Sequence, residues 1–245
     1  MDKAINLLQR RGFLIDKYDS EYYLSDNSHS EDSRYLDFLL RKMNIGFVEM
    51  DGHIIISNTE LWANLLVMFE EINKGSVGTG SNNRVHKWYK VKKRFCADKI
   101  PVSHLEANVA RYIKALSACG IYTGGCCDGN HPNCNVLHIE FDGPVYSDIH
   151  QYLWKYLLAD KFKLKWNSKY TDVFLDDDKY LQYEILNDAA SFIYENRVFI
   201  RNIRMQAADW MSDRMLKDKS DKELKQRFIQ EFETILRMQS IFASN

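Results

Sequence analysis

Apolar residues recur at helical spacing in some stretches of this chain and alternate with polar ones in others, and the two periods divide it into elements. Leu61, Leu65, Met68, Phe69 and Ile72 follow the first pattern, as do Leu105, Val109, Tyr112, Ile113 and Leu116. Each set predicts an amphipathic helix. Both are preceded by a Ser-x-x-Glu signature, Ser57-Asn-Thr-Glu60 and Ser103-His-Leu-Glu106. In that signature hydroxyl and carboxylate each satisfy a backbone N–H left over at a helix start. A third signature, Ser220-Asp-Lys-Glu223, opens a terminal helix over 222–242, and Gly120 offers a C-terminal stop for the second helix. Strand signals lie between. Ile45-Gly-Phe-Val-Glu-Met and His53-Ile-Ile-Ile-Ser flank Asp51-Gly52, two residue types that tolerate the positive φ of a tight hairpin turn. Further hairpins are expected from 13–17 with 22–25, and from 121–127 with 136–141 through the loop 128–135. A helix over 147–159, with Tyr152, Leu153, Tyr156 and Leu157 inward, precedes strands near 162–166 and 171–175.

Laid end to end, these elements run helix, hairpin, helix, hairpin, helix over residues 2–73 and again over 104–195. The expected fold is α+β: antiparallel β-hairpins packed with amphipathic helices, in two related α-ββ-α-ββ-α lobes, plus a C-terminal helix. The boundaries that follow are an N-terminal lobe at 1–74, a glycine-rich and basic linker at 75–100, a C-terminal lobe at 101–195 and a helical extension at 196–245. Gly75-Ser-Val-Gly78-Thr-Gly80-Ser follows a helix and lacks the Gly-Lys-Ser/Thr ending of a phosphate loop, so it reads as a hinge.

Composition adds limits. An apolar fraction of 45% with only three prolines describes a folded chain rather than a linker-rich one. No apolar run is long enough for a membrane span, and the first residues lack a signal-peptide pattern, so a cytoplasmic protein with no membrane contact is expected. Five cysteines without an export signal point to reduced thiols. The net charge of -1 hides an uneven distribution. Acid dominates 16–37 and 172–188, whereas Arg84, Lys87, Lys90, Lys92, Lys93, Arg94 and Lys99 are opposed only by Asp98. Trp88, Tyr89 and Phe95 interleave with those cations. Single-stranded nucleic acid calls for that mixture, cations for its phosphates and rings for its bases. The competing readings are a solvated basic linker and an edge strand guarded by lysines.

The cysteines concentrate candidate chemistry between Cys119 and Cys134. Alternation in the strand 136–141 turns Leu137, Ile139 and Phe141 to the core, leaving His138, Glu140 and Asp142 on the other face. If Ile121 and Thr123 also point inward, Tyr122, Gly124 and Cys126 join that polar face. Cys126, His138 and Glu140 would then be a thiol, an imidazole and a carboxylate on one surface, the types a thiolate nucleophile and its base require. A solvated sheet face shows the same alternation. Tyr122, Gly124, Asp128 and Asn130 are the matching candidates for ligand binding, since paired glycines admit a close approach. Cys127, His131 and Cys134 form a C-x₃-H-x₂-C cluster whose donors suit zinc, although no second ligand pair follows; no other cofactor is expected. Thr123-Gly-Gly-Cys126-Cys127-Asp-Gly129 resembles the Thr-Thr-Ser-Ser-Cys-Ser-Gly turn of the methyltransferases that make wybutosine in tRNA. Cys127 and Gly129 match that family's cysteine and glycine, while Asp128 replaces its serine and Asn130 its following basic residue. The resemblance implies a nucleic-acid or nucleotide connection and no activity.

Arg197, Arg201 and Arg204 would share one face of a helical stretch over 180–217, either to grip phosphates or as a solvated face paired with Asp176, Asp177 and Asp178. The sequence therefore points to a protein that binds nucleic acid or a nucleotide-like anion through Arg84, Lys87, Trp88, Lys90, Lys92, Lys93 and Arg94 and the neighbouring cysteine hairpin. A thiolate enzyme is the rival reading. A third is a protein-interaction module that offers 222–245 to a partner.

Overall fold

The computed structural model describes residues 3–19, 21–42, 46–50, 53–56, 101–102, 105–129, 135–141, 144–158, 161–167, 169–176 and 178–212, together with 226, 230, 233 and 234. The first half runs α1 (Lys3–Arg11), β1 (Ile15–Tyr18), β2 (Glu21–Leu24), α2 (Ser30–Lys42), β3 (Val48–Met50) and β4 (His53–Ile56). The second runs α3 (Ala107–Ala118), β5 (Thr123–Cys127), β6 (Val136–Phe141), α4 (Pro144–Leu158), β7 (Lys163–Trp166), β8 (Tyr170–Phe174), α5 (Lys179–Glu195) and α6 (Arg197–Ser212). The strands form two four-stranded sheets, ordered β1-β2-β4-β3 and β5-β6-β8-β7. Every pairing is antiparallel. The chain is thus α+β, and the order α-β-β-α-β-β, with its strand order, occurs in both halves. Among the described residues no helix is long and apolar enough to cross a membrane. The basic aromatic stretch, the glycine-rich hinge, the helix expected after Ser57 and most of 222–242 lie outside the described residues.

Each sheet buries one face under its helices. In the first lobe Ile5 and Leu8 of α1 and Leu36, Leu39 and Leu40 of α2 meet Ile15, Ile54 and Ile56 of the sheet. In the second, Val109, Tyr112, Ile113 and Leu116 of α3 join Leu137, Ile139 and Phe141 of β6. The turn from first helix to first strand is made the same way twice. Gly12 and Gly120 take φ of 109° and 74°, which lets the N–H of Phe13 reach the Leu8 carbonyl and that of Ile121 the Leu116 carbonyl, at 3.1 and 3.0 Å.

Two expectations are corrected. The helix expected from the Ser103 signature starts later: α3 begins at Ala107 with Glu106 in the cap position, and the Glu106 carboxylate accepts from the Asp128 N–H, 2.6 Å away. On α4 the buried face is Ile149, His150, Leu153, Trp154 and Leu158, rotated from the expected one because Trp154 fills the centre of the core while Tyr152 and Leu157 stand at its edge. The stretch after 179 is largely helical, as expected, with α5 and α6 separated at Asn196, whose φ is -96° and ψ 15°.

The lobes meet along α1 and α3. Arg10 pairs with Glu184, Arg197 with Asp16, and Lys114 with Asp32 at 2.7 Å, the last pair 1% exposed on both sides. A Cβ added to Gly12 would lie 2.8 Å from the Ala110 Cβ, on top of the positive φ already noted. Gly12→Ala therefore both strains the turn and wedges the seam, and is expected to cost about 1–3 kcal/mol. Urea denaturation of the two proteins checks it through the shift in midpoint at unchanged slope.

Candidate functional site

The second sheet has one face packed on the core and one open. Register assigns the open face row by row: Val136, Phe174 and Lys163; then Cys127, His138, Asp172 and Lys165; then Gly125, Glu140 and Tyr170. The alternation is plain in β7, where Lys163 and Lys165 are exposed and Leu164 and Trp166 are half-buried against the core. It follows from a strand with one wet side.

His138 Nδ1 lies 2.6 Å from Asp172 Oδ1 on the neighbouring strand, and its ring stands 5.2 Å from that of Tyr170. The carboxylate therefore fixes the imidazole and leaves Nε2 outward, without a partner among the described residues. The Glu140 carboxylate lies over the glycine pair, since a Cβ on Gly125 would come within 3.3 Å of its Oε2 and one on Gly124 within 3.7 Å. Of the two acids on this face, Asp172 is held by His138. Lys163 and Lys165 have no ion pair among the described residues, and the Phe174 ring beside Lys163 is 41% exposed. The result is an open surface with two available cations and aromatic rings of Phe174, Tyr170 and His138 at alternate strand positions.

The expected trio of Cys126, His138 and Glu140 is not brought together. A bulge between Thr123 and Gly125 inserts one residue, so Gly125 faces Glu140 and Cys127 faces His138, while Cys126 stands opposite Ile139 and packs against the core. One extra residue flips every later side chain to the other side of a strand. Burial, reinforced by the Glu106 charge, pushes the Cys126 thiol well above its ordinary pKa, which disfavours the thiolate a nucleophile needs. Cys119, buried and donating to the Ile193 carbonyl, is pushed up to about 12 for the same first reason.

Of the expected metal ligands, Cys127 is described while His131 and Cys134 lie outside the described residues. The Cys127 Sγ and carboxylate oxygens of Glu106 and Asp128 fall within 4.8 Å of one another. Those carboxylates already serve the turn: Glu106 accepts from the Asp128 N–H, and Asp128 Oδ2 accepts from Asn108 Nδ2. The Asp128 carbonyl accepts from the Tyr183 hydroxyl at 2.7 Å. Asp128 is accordingly a buried pin between hairpin, α3 and α5 rather than an accessible ligand group. Among the other ligand candidates, Gly124 makes the bulge under Glu140, Asn130 lies outside the described residues, and Tyr122 packs edge-on against Tyr146 at 5.2 Å under the Arg204 guanidinium. The seven residues of the basic segment, from Arg84 to Arg94, lie outside as well.

The arginine stripe of α6 is spent on structure. Arg197 donates to both Asp16 oxygens, Arg201 to the Ala118 carbonyl and Asn27, and Arg204 to the Tyr146 hydroxyl. Lys163, Lys165, Tyr170 and Asp172 were not among the sequence candidates. Their signal is the alternation of Lys163-Leu-Lys165-Trp and Tyr170-Thr-Asp172-Val. Compared with protein-family models, curated proteins and solved structures, the chain matches none.

Proposed function

We propose that this protein binds single-stranded nucleic acid, or a nucleotide-like anion, on the open face of the second sheet. The observation that carries the reading is the placement of Lys163 and Lys165 beside the rings of Phe174 and Tyr170, with the Asp172 carboxylate engaged by His138. Cations would neutralise phosphates with release of counterions, and flat rings on an antiparallel sheet would stack bases without reading their sequence. Arg84, Lys87, Trp88, Lys90, Lys92, Lys93 and Arg94 would extend the contact with the same chemistry. The placement of Cys126 opposite Ile139 and against the core, with its thiol pKa pushed up, weighs against the thiolate-enzyme alternative. Shared element order and strand order support reading the two lobes as related copies, of which the second carries the binding face. A cytoplasmic protein with nucleic-acid partners fits both.

The test is fluorescence anisotropy with a short unstructured oligonucleotide. Lys163→Glu with Lys165→Glu is expected to weaken binding roughly tenfold or more, and to lower the slope of log K against log salt by about 1 to 2. Both lysines are exposed, so the fold is not at risk. Binding that ignores salt, or that the double variant leaves unchanged, rejects the proposal.

A further inference from the structure

Where α1, α3 and α5 meet the start of β1, the seam between the lobes holds a cavity of about 300 Å³. Phe13, Ile15, Ala115 and Ala190 give it apolar lining, and Arg111, Arg197 and Lys17 line it together with the carboxylates of Asp16 and Glu195. Two of these cations are engaged: Arg197 donates to Asp16 at 3.1 and 3.3 Å, and the Lys17 ammonium lies 5.6 Å from the centre of the Tyr22 ring. Arg111 is different. Its one hydrogen bond among the described residues is a long one, 3.4 Å from Nη2 to Gln9 Oε1, and it has no ion pair there. A guanidinium has five N–H donors, so most of this one goes unanswered.

That is an unfavourable arrangement for an empty seam. Burial lowers the basicity of Arg111, the Arg10 charge lowers it further, and the more distant carboxylates of Asp188, Glu195 and Glu184 offset this only in part. A half-buried cation with one long hydrogen bond is left short of the partners it has in water, and a bound anion restores them. The planar fork of a guanidinium matches two oxygens of a carboxylate or phosphate at once. The apolar lining residues would take a compact hydrocarbon or ring, and the volume sits at the small end of ligand sites, which span about 300–1,000 Å³.

We propose that the cavity between the lobes binds a small organic oxyanion, a carboxylate or phosphate on a compact apolar body, gripped by Arg111. The site is remote in register from the open sheet face and does not depend on nucleic-acid binding. Its occupant touches α1 and β1 of one lobe and α3 and α5 of the other, so it ties the two together.

Thermal unfolding of the full chain with increasing benzoate, and separately with increasing inorganic phosphate, tests this. A ligand that binds only the folded state raises Tm with its concentration. A rise with benzoate alone assigns the carboxylate form, and a rise with phosphate the phosphate form. Arg111→Gln is expected to weaken the response roughly tenfold or more. Glu195→Gln, which removes an exposed carboxylate from the cavity rim, is expected to strengthen it. No rise with either probe overturns the proposal, and so does an equal rise in Arg111→Gln, which would mark a general salt effect. Should Arg111→Gln fail to fold, Glu195→Gln decides alone, and unchanged affinity there overturns the proposal.

Discussion

Asp32→Ala is expected to destabilise the protein by about 3–5 kcal/mol, enough to unfold a large fraction of the molecules at moderate temperature. Asp32 starts a helix in the first lobe, yet its carboxylate works between lobes: Oδ2 accepts from the His29 N–H at 3.0 Å and from Lys114 Nζ at 2.7 Å, and Oδ1 accepts from the Val102 N–H at 2.7 Å. Truncation removes the counter-charge of an ammonium that is itself only 1% exposed, together with two backbone contacts. The cost is chiefly that of a desolvated cation. Joining Lys114→Met to Asp32→Ala is therefore expected to recover much of the loss, since an apolar side chain of similar length needs no counter-ion. Urea midpoints for the wild type, both single variants and the double variant measure the coupling, and additive losses would contradict this account.

The second large effect is acid lability. His150 sits within the second core among Phe141, Trp154 and Trp166, near the Tyr112 hydroxyl at 3.0 Å and Thr171 Oγ1 at 3.3 Å. Burial lowers its pKa from 6.5 to about 3, so it folds neutral. In the unfolded chain the same imidazole takes up a proton below about 6.5, and the stability tied to its neutral form is lost as pH falls from there towards 3. The gradient approaches about 1.4 kcal/mol per pH unit across that window, on top of whatever the carboxylates contribute. His150→Gln keeps hydrogen-bonding capacity without a titrating ring. The difference in Tm between wild type and His150→Gln is expected to move in favour of the variant on acidification from pH 7 to 4. A difference independent of pH would refute the assignment.

How far the sequence leads can be judged from the hairpins. The strand pairs 15–18 with 21–24, 48–50 with 53–56, and 163–166 with 170–174 announce themselves by alternation and by turn residues, because both signals are local. The cysteine hairpin announces itself too, but Gly124-Gly125 conceals which residue is extra, and that one uncertainty decides whether Cys126 or Cys127 faces His138. Helix faces fail in the same way: Tyr152 and Trp154 are near neighbours on one helix, and only the space beneath α4 selects the indole. The partners of Arg197 and Arg201 are Asp16 and Asn27, far off in the chain, so no spacing rule reaches them. His138 was legible as a candidate from alternation. Asp172, which orients it, becomes visible only when β6 and β8 are side by side.

The seam is expected to couple the unfolding of the two lobes. Three ion pairs join helix α1, helix α2 and strand β1 to residues of the opposite lobe, and the innermost of them is shut away from solvent. A half-melted chain would strand an ammonium or a carboxylate against a greasy surface, so no comfortable resting place lies between the folded and the denatured ensembles. Loss of one sheet is in this way expected to weaken the other.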